Sequence, residues 1–194
     1  MTDSQQAGAA ERRARRTDPQ RRDRIIDAAV QCIAAHGVAG TSHRRVAQLA
    51  DVPLGSMTYH FDSIEELLVE AFTRFTTTIA ETFAERLGSA ADQQEMLAAI
   101  VVLIHDDLQR SREEHVLSYE LYTLAARRPE FRSLTQAWMK ASRAVLERLF
   151  DPTTARRLDA YIEGAALHIA LDPDPQSPEQ TAADLNLLVT HATG

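Results

Sequence analysis

Apolar residues recur along this chain at intervals of three and four, the spacing that lines up one face of an α-helix. No stretch shows the strict alternation of a half-buried strand. Residues 1–17 lack periodicity and are small, polar and charged, which predicts a disordered tail. Asp18-Pro19 has the form of a cap followed by a first helical residue. The helix it opens ends at about His36, before Gly37. Ile25, Ala29 and Ile33 form one stripe on it, with Ile26, Val30 and Ala34 beside them. A second helix follows Thr41 or Ser42 as cap and is expected to bury Val46, Ala47, Leu49 and Ala50. Asp51 marks a turn, because Asp tolerates left-handed backbone better than most residues. Pro53 then opens a short third helix ending near Phe61.

Ser63-Ile64-Glu65-Glu66 has the form of a capping box, a start signal for a fourth helix. That helix buries Ile64, Leu67, Leu68, Ala71, Phe72, Phe75 and Ile79, reaches about Leu87, and is long enough to link two domains. The pattern predicts five more helices. One covers Ala91–Arg110, with Leu97, Ile100, Val101, Ile104 and Leu108 inward, and the next covers Arg112–Arg128. Another covers Pro129–Phe150, with Phe131, Leu134, Trp138, Val145 and Leu149 inward. Asp151-Pro152 repeats the cap-plus-proline start for a helix to Leu171, and Ser177 to Gln180 caps the last, which carries Leu185, Leu188 and Val189. The expected fold class is therefore all-α, with about nine helices.

Composition agrees with this and narrows the class. There are seven glycines and seven prolines in 194 residues, and alanine, leucine and arginine dominate. The length suffices for one or two domains with a real core. The longest apolar run, Met96–Ile104, is far short of the ~20 residues that span a bilayer, and the polar N-terminus reads as no signal peptide. Cys32 is the single cysteine, so an internal disulfide and a Cys-based zinc site are excluded; a cytoplasmic location is expected, with Cys32 a small buried hydrophobe. No two histidines stand at i,i+4, and no Gly-rich phosphate loop, nucleophile elbow or HExxH occurs. Neither metal nor cofactor is expected, and the chain is not expected to be an enzyme.

The net charge of −7 hides an asymmetry. Residues 1–45 hold nine arginines against five acids, whereas the rest holds 12 bases against 23 acids. A basic end on an acidic body suits a protein that touches a polyanion with one end only. Twenty arginines against one lysine, with the alanine content, point to a GC-rich bacterial genome.

Thr41 to Phe61 reads as two short helices joined by a tight turn, with polar side chains on the outer face of the second. That is a helix-turn-helix, built to lay one helix in the DNA major groove. Thr41, at a helix start, can offer its hydroxyl and neighbouring N–H groups to a phosphate. Arg44 and Arg45 are candidate phosphate contacts, and one could reach a base. In the third helix Leu54, Gly55, Ser56, Thr58, Tyr59 and His60 are the outward candidates, while Met57 and Phe61 read as core. Gly55 lets backbone approach DNA closely, and Leu54 and Thr58 could meet thymine methyls. The third helix holds no Arg, Lys, Asn or Gln, so selectivity is expected to lean on apolar contacts, Arg44 or Arg45, and DNA shape. Arginines 12, 13, 15 and 16 of the tail either enter the minor groove as an arm or add only non-specific attraction.

Gly40-Thr41, Val46-Ala47, Val52, Gly55-Ser56-Met57, Tyr59-His60-Phe61, Ser63 and Glu66-Leu67-Leu68, with a first helix ending in Gly37, resemble the N-terminal domain of TetR/AcrR-type repressors over about residues 20–72. The resemblance implies a division into a basic tail (1–17), a helix-turn-helix domain (18–62) and a ligand-binding and dimerisation domain (63–194). It implies a homodimer on a palindromic operator, released when a small molecule shifts the linker helix. Tyr59 and His60 resemble the family's backbone-contacting pair. Ile64 departs from the family, which usually has a phosphate-binding lysine there. The last two helices resemble the dimer-forming pair, with Leu158, Ile162, Ala165, Leu185 and Leu188 as candidates for the interface, or for intrachain core, and Ala160, Gly164 and Ala166 small enough for close packing.

The body also offers His105, His115, Tyr119, Glu120, Tyr122, Trp138, Met139, Tyr161 and His168 as polar or aromatic groups on apolar helices. His115 and Tyr119 share a face at i,i+4 with Tyr122 nearby, and together with Trp138 they are the expected ligand wall. The alternative function is a helical ligand- or protein-binding module of the same fold that does not bind DNA.

Overall fold

The computed structural model describes residues 19–107 and 112–190. The expected tail at 1–17, the Asp18 cap and Leu108 lie outside them. Among the described residues the chain forms α1 (Arg21–His36), α2 (His43–Leu49), α3 (Leu54–His60), α4 (Ile64–Gly88), α5 (Gln93–Val102), α6 (Arg112–Ala125), α7 (Pro129–Leu146), α8 (Pro152–Leu171) and α9 (Pro178–Thr190), with no strand. None of these helices is long and apolar enough to cross a membrane.

The helix starts follow local chemistry. The Ser63 hydroxyl accepts the Glu66 amide at 3.1 Å, and the Glu66 carboxylate accepts the Asp62 amide at 2.6 Å. Asp151 accepts the amides of Thr153 and Thr154 with Pro152 as the first helical residue. Ser177 and Gln180 cap α9 reciprocally. Asp51 takes the left-handed backbone of the turn between α2 and α3, at φ 51°.

Five expectations need correction. Pro19 is not the first helical residue: Pro19 and Gln20 form a turn, and α1 begins at Arg21 with the Gln20 carbonyl accepting from the Arg24 amide at 3.0 Å. The helix expected from Ala91 begins at Gln93 behind an Asp92 cap, and after Val102 it widens into a π turn, Leu103–Asp107. Leu103 and Ile104 of this wider turn are both buried. Leu49 is half exposed, because Val46, Ala47 and Ala50 fill the buried side of a helix only seven residues long. The helix expected to run to Arg128 ends at Ala125, and the one expected to run to Phe150 ends at Leu146.

Two cores hold the molecule. The first joins α1–α3 to α4, α6 and α7 through Ile25, Ile33, Val46, Met57, Phe61, Phe72, Leu121 and Phe131. The second gathers Phe83, Leu87, Met96, Ile100, Leu146, Leu158, Ile162 and Leu185 from the end of α4, α5, α7, α8 and α9. Arg74 of α4 grips Asp23 and Asp27 of α1 at 2.6 Å each, and Arg22 meets Glu70 at 2.8 Å. Exposed pairs of this kind contribute at most about 1 kcal/mol each, so they set the alignment of α4 on α1 more than its stability.

Candidate nucleic-acid interface and ligand cavity

The outer face of α2 and α3 is built from short helices whose inner faces are anchored by Val46, Ala47, Met57 and Phe61. Arg44, Leu54, Gly55, Thr58 and Tyr59 stand exposed on it, Tyr59 to 83%. A Cβ added to Gly55 would meet nothing within 4 Å, so the protein itself leaves that space open. Tyr59 meets the His60 ring edge to face at 4.9 Å. Burial, and then the charges of Arg21 and Arg22, push the His60 pKa below its usual value, so near neutral pH the ring is uncharged and can donate one N–H.

Three of the expected contacts are placed differently. Thr41 is buried, and its hydroxyl donates to the Gly37 carbonyl at 2.9 Å; the α2 cap is Ser42, which accepts the Arg45 amide at 3.4 Å. Thr41 thus locks the preceding turn. The Arg45 guanidinium donates to the Gly40 carbonyl and ties the same turn to α2. Ser56 is buried beside Met57 rather than facing outward. Sequence reasoning did not place Arg21 and Arg22 at the site, although the pair sits within electrostatic reach of His60, with Arg22 5.2 Å over the Phe61 ring. Its signal was the basic N-terminal end. Ile64 packs against the first core.

Behind this unit α4, α6, α7 and α8 enclose a cavity of about 250 Å³ that brings together His115, Tyr119, Tyr122 and Trp138. Tyr122 lies parallel to Trp138 at 5.9 Å, and Phe75 backs the Trp138 ring at 6.0 Å. His115 and Tyr119 stack at 6.0 Å. The His115 Nε2 and the Tyr119 hydroxyl are buried without a hydrogen-bond partner. Ile79 carries the wall onto the linker helix α4.

Sequence reasoning missed Glu163 of α8. Its carboxylate accepts the Tyr122 hydroxyl. Burial pushes the Glu163 carboxyl above its usual range, and the nearby Asp159 adds to this against the Tyr122 hydrogen bond. Burial and Glu163 likewise push the Tyr122 phenol up, so it stays protonated. The signal was present: Glu163 is the acid inside the otherwise apolar run Tyr161 to Leu167.

The other polar candidates of the body lie elsewhere. His105 bonds to Thr181 at 2.8 Å, and Tyr161 donates to Asp184 at 2.9 Å. Met139 and His168 do not line the cavity. Glu120 points the opposite way, against α1, where a Cβ on Gly37 would come within 2.5 Å of its Oε1. A larger groove of about 790 Å³ between α1, α2 and the start of α6 opens to solvent and encloses nothing.

The candidate dimer residues of α8 and α9 face inward. Leu158, Ile162, Ala165 and Leu185 are buried inside the protomer, and Leu188 packs against the same core. The exposed leucines of α8 and α9 are Leu167, Leu171 and Leu187; Ala160 and Gly164 align with the first two at helical spacing, and Gly164 and Leu167 also border the cavity.

Residues 25–71 match the family model of bacterial regulatory proteins of the tetR family, and residues 89–192 match that of the tetracyclin repressor-like C-terminal domain. SCO7518 of Streptomyces coelicolor A3(2), assigned as a transcriptional regulator, is 52% identical, with a TM-score of 0.84 over 89% of this chain and 99% of that one. The multidrug binding protein EbrR, in its complex with ethidium, is 36% identical, with a TM-score of 0.74 over 87% of this chain and 98% of that one. The transcriptional repressor KstR2 of Rhodococcus jostii is 28% identical over 61% of this chain and 62% of its own length, so this chain spans under two thirds of that relative. With a helix-turn-helix at one end, a helical body around an aromatic cavity behind it, and a match to both halves of the family, the chain belongs to the TetR family of helix-turn-helix transcriptional regulators.

Proposed function

We propose that this regulator is a cytoplasmic, homodimeric repressor that binds a palindromic operator and is released by a small molecule held in the aromatic cavity. The observation that carries the DNA reading is the open face of α2 and α3: Arg44, Leu54, Thr58 and Tyr59 project from it around a glycine with empty space above. Phosphate contacts from Arg44, Tyr59 and the neutral His60 would set the register. Leu54 and Thr58 would meet base edges, and Gly55 would let the α3 backbone come close. Leu167, Leu171 and Leu187 with Ala160 and Gly164 supply a stripe on which a second copy would seat, placing two such faces on successive major grooves. EbrR is a multidrug binding protein solved with ethidium, proflavin and malachite green, which supports a small-molecule effector here. Because Ile79 belongs to both the cavity and α4, an occupant would press directly on the helix that carries the DNA-reading unit.

The test is selection from genomic DNA fragments by the purified protein, with sequencing of what is retained, run beside Gly55→Val. An inverted repeat is expected for the parent protein. Gly55→Val should melt at the parent temperature within a few degrees yet enrich nothing, since its side chain has room in the protein and none against a groove wall. Failure of the parent to enrich any sequence would leave a ligand-binding module of the same fold that does not bind DNA.

A further inference from the structure

Glu163 is a carboxylate placed among aromatic rings, and none of the residues lining its cavity is a cation. Helix α6 presents Glu114, His115, Tyr119 and Tyr122, of which the Tyr122 hydroxyl is the hydrogen-bond partner of Glu163. On its own helix the neighbour is Asp159, and the cation that α7 brings, Arg143, is bound to that Asp159 at 2.8 Å. His105 of the π turn is engaged with Thr181, and Asp184 of α9 with Tyr161. The cavity thus holds acids, a histidine held neutral by burial, phenols and an indole, and its lining includes no Lys or Arg. A buried carboxylate without a cation is costly to ionise, and this pushes the Glu163 carboxyl above its usual range before a ligand enters. Aromatic faces carry negative potential and attract cations.

We propose that Glu163 is the counter-charge for a compact, flat, monocationic aromatic ligand that stacks on the wall formed by Trp138, Tyr122 and Tyr119. This rests on the reading of the cavity as the effector site. The volume of about 250 Å³ lies just below the ~300–1,000 Å³ usual for drug-sized ligands, so two or three fused rings fit better than a branched dye. As the cation enters, the carboxylate pairs with the ligand and whatever proton Glu163 carries at that pH leaves to solvent, so proton release grows as pH falls through the raised value of the free carboxyl. The Tyr122 hydroxyl stays as donor to the new carboxylate, and the unpartnered His115 Nε2 and Tyr119 hydroxyl are free to bond ring substituents. Neutral rings of the same shape gain the stacking and lose the charge pairing; anions are repelled.

The sign of the pH dependence follows. Ionised Glu163 binds the cation and protonated Glu163 does not, so affinity rises with pH up to the raised value of the free carboxyl and is flat above it. Below that value it falls by about tenfold per pH unit.

The experiment is titration calorimetry of the full-length protein with proflavin, a cation throughout pH 5.5–8, and with acridone, a neutral ring system of the same shape, each in phosphate and in Tris buffer. Proflavin is expected to bind with proton release that is larger at the acid end of the range and with affinity rising with pH, and acridone to bind without either. Glu163→Gln should weaken proflavin by about 30- to 100-fold, leave acridone within about twofold, and abolish proton release. If proflavin binds but the variant matches the parent and no proton is released, the counter-charge assignment falls while the cavity remains an effector site. If neither ring binds a parent protein that still retains operator DNA, both the assignment and the effector cavity fall while the DNA-binding function stands. Should Glu163→Gln fail to fold, the pH profile and the proton count of the parent protein decide alone.

Discussion

Phe72→Ala lowers the free energy of unfolding by about 3–5 kcal/mol, the cost of removing a fully buried aromatic side chain from a core that cannot collapse around the gap. Phe72 has no exposed surface and meets Phe131 edge to face at 5.9 Å, joining the linker helix α4 to α7. Both rings belong to the core that also holds the inner faces of α1, α2 and α3. A natural protein has only about 5–15 kcal/mol in hand, so the variant should melt roughly 10 °C lower. Urea or thermal denaturation checks this, with Val102→Ala, at an exposed position, expected to stay within about 0.5 kcal/mol of the parent. A loss below about 1 kcal/mol for Phe72→Ala would contradict the packing of α4 against α7.

The second large effect is on DNA and leaves stability alone. In the double substitution Arg44→Ala/Tyr59→Ala, both side chains are exposed, so truncation strands no buried group and the melting temperature should stay within about 2 °C. Removing one side chain that touches DNA costs about 1–2 kcal/mol of binding, so the pair should weaken each half-site on the order of 100-fold and the dimer by more. Arg44 carries a charge, so the dependence of log affinity on log salt should flatten by about one unit per arginine removed, or about two for a dimer. Binding measured by fluorescence anisotropy from low to moderate salt reads both quantities. Operator affinity within about threefold of the parent, with an unchanged salt slope, would move the docking surface away from α2 and α3.

Much of this architecture was legible in the residues, and what escaped did so for identifiable reasons. Caps are local: Ser63 with Glu66, Asp151 with Pro152, and Ser177 with Gln180 each satisfy the orphan amides of the next helix, whatever the rest of the fold does. Asp18-Pro19 offered the same signal, and α1 nonetheless starts at Arg21. Periodicity says that a helix has an apolar face, not what covers it. Leu158 and Ile162 face the protomer's own core, whereas Leu167 and Leu171 of the same helix face outward, and both stripes look alike in one dimension. A polar residue at a helix start reads as a ligand contact or as a turn lock; Thr41 locks the turn by reaching back to Gly37, a contact fixed by the backbone path between them. The aromatic wall was legible because His115, Tyr119 and Tyr122 lie within two turns of one helix, with only Trp138 coming from another. Glu163 escaped because its meaning depends on Tyr122, 41 residues away in the chain.

The core shared by α1–α3 with α4, α6 and α7 bears on how such a chain can diversify. A reading head cut at residue 62 and grafted onto another body would take Ile26, Met57 and Phe61 out of the core they share with Leu68, Phe72 and Leu121, and the graft would carry a mismatched seam through its largest core. The head is therefore not an interchangeable cassette. If α3 reads DNA as proposed, new operator preference would be reached with less disruption by replacing the exposed Leu54 and Thr58 in place, where only the local bond from the Thr58 hydroxyl to the Gly55 carbonyl would be lost.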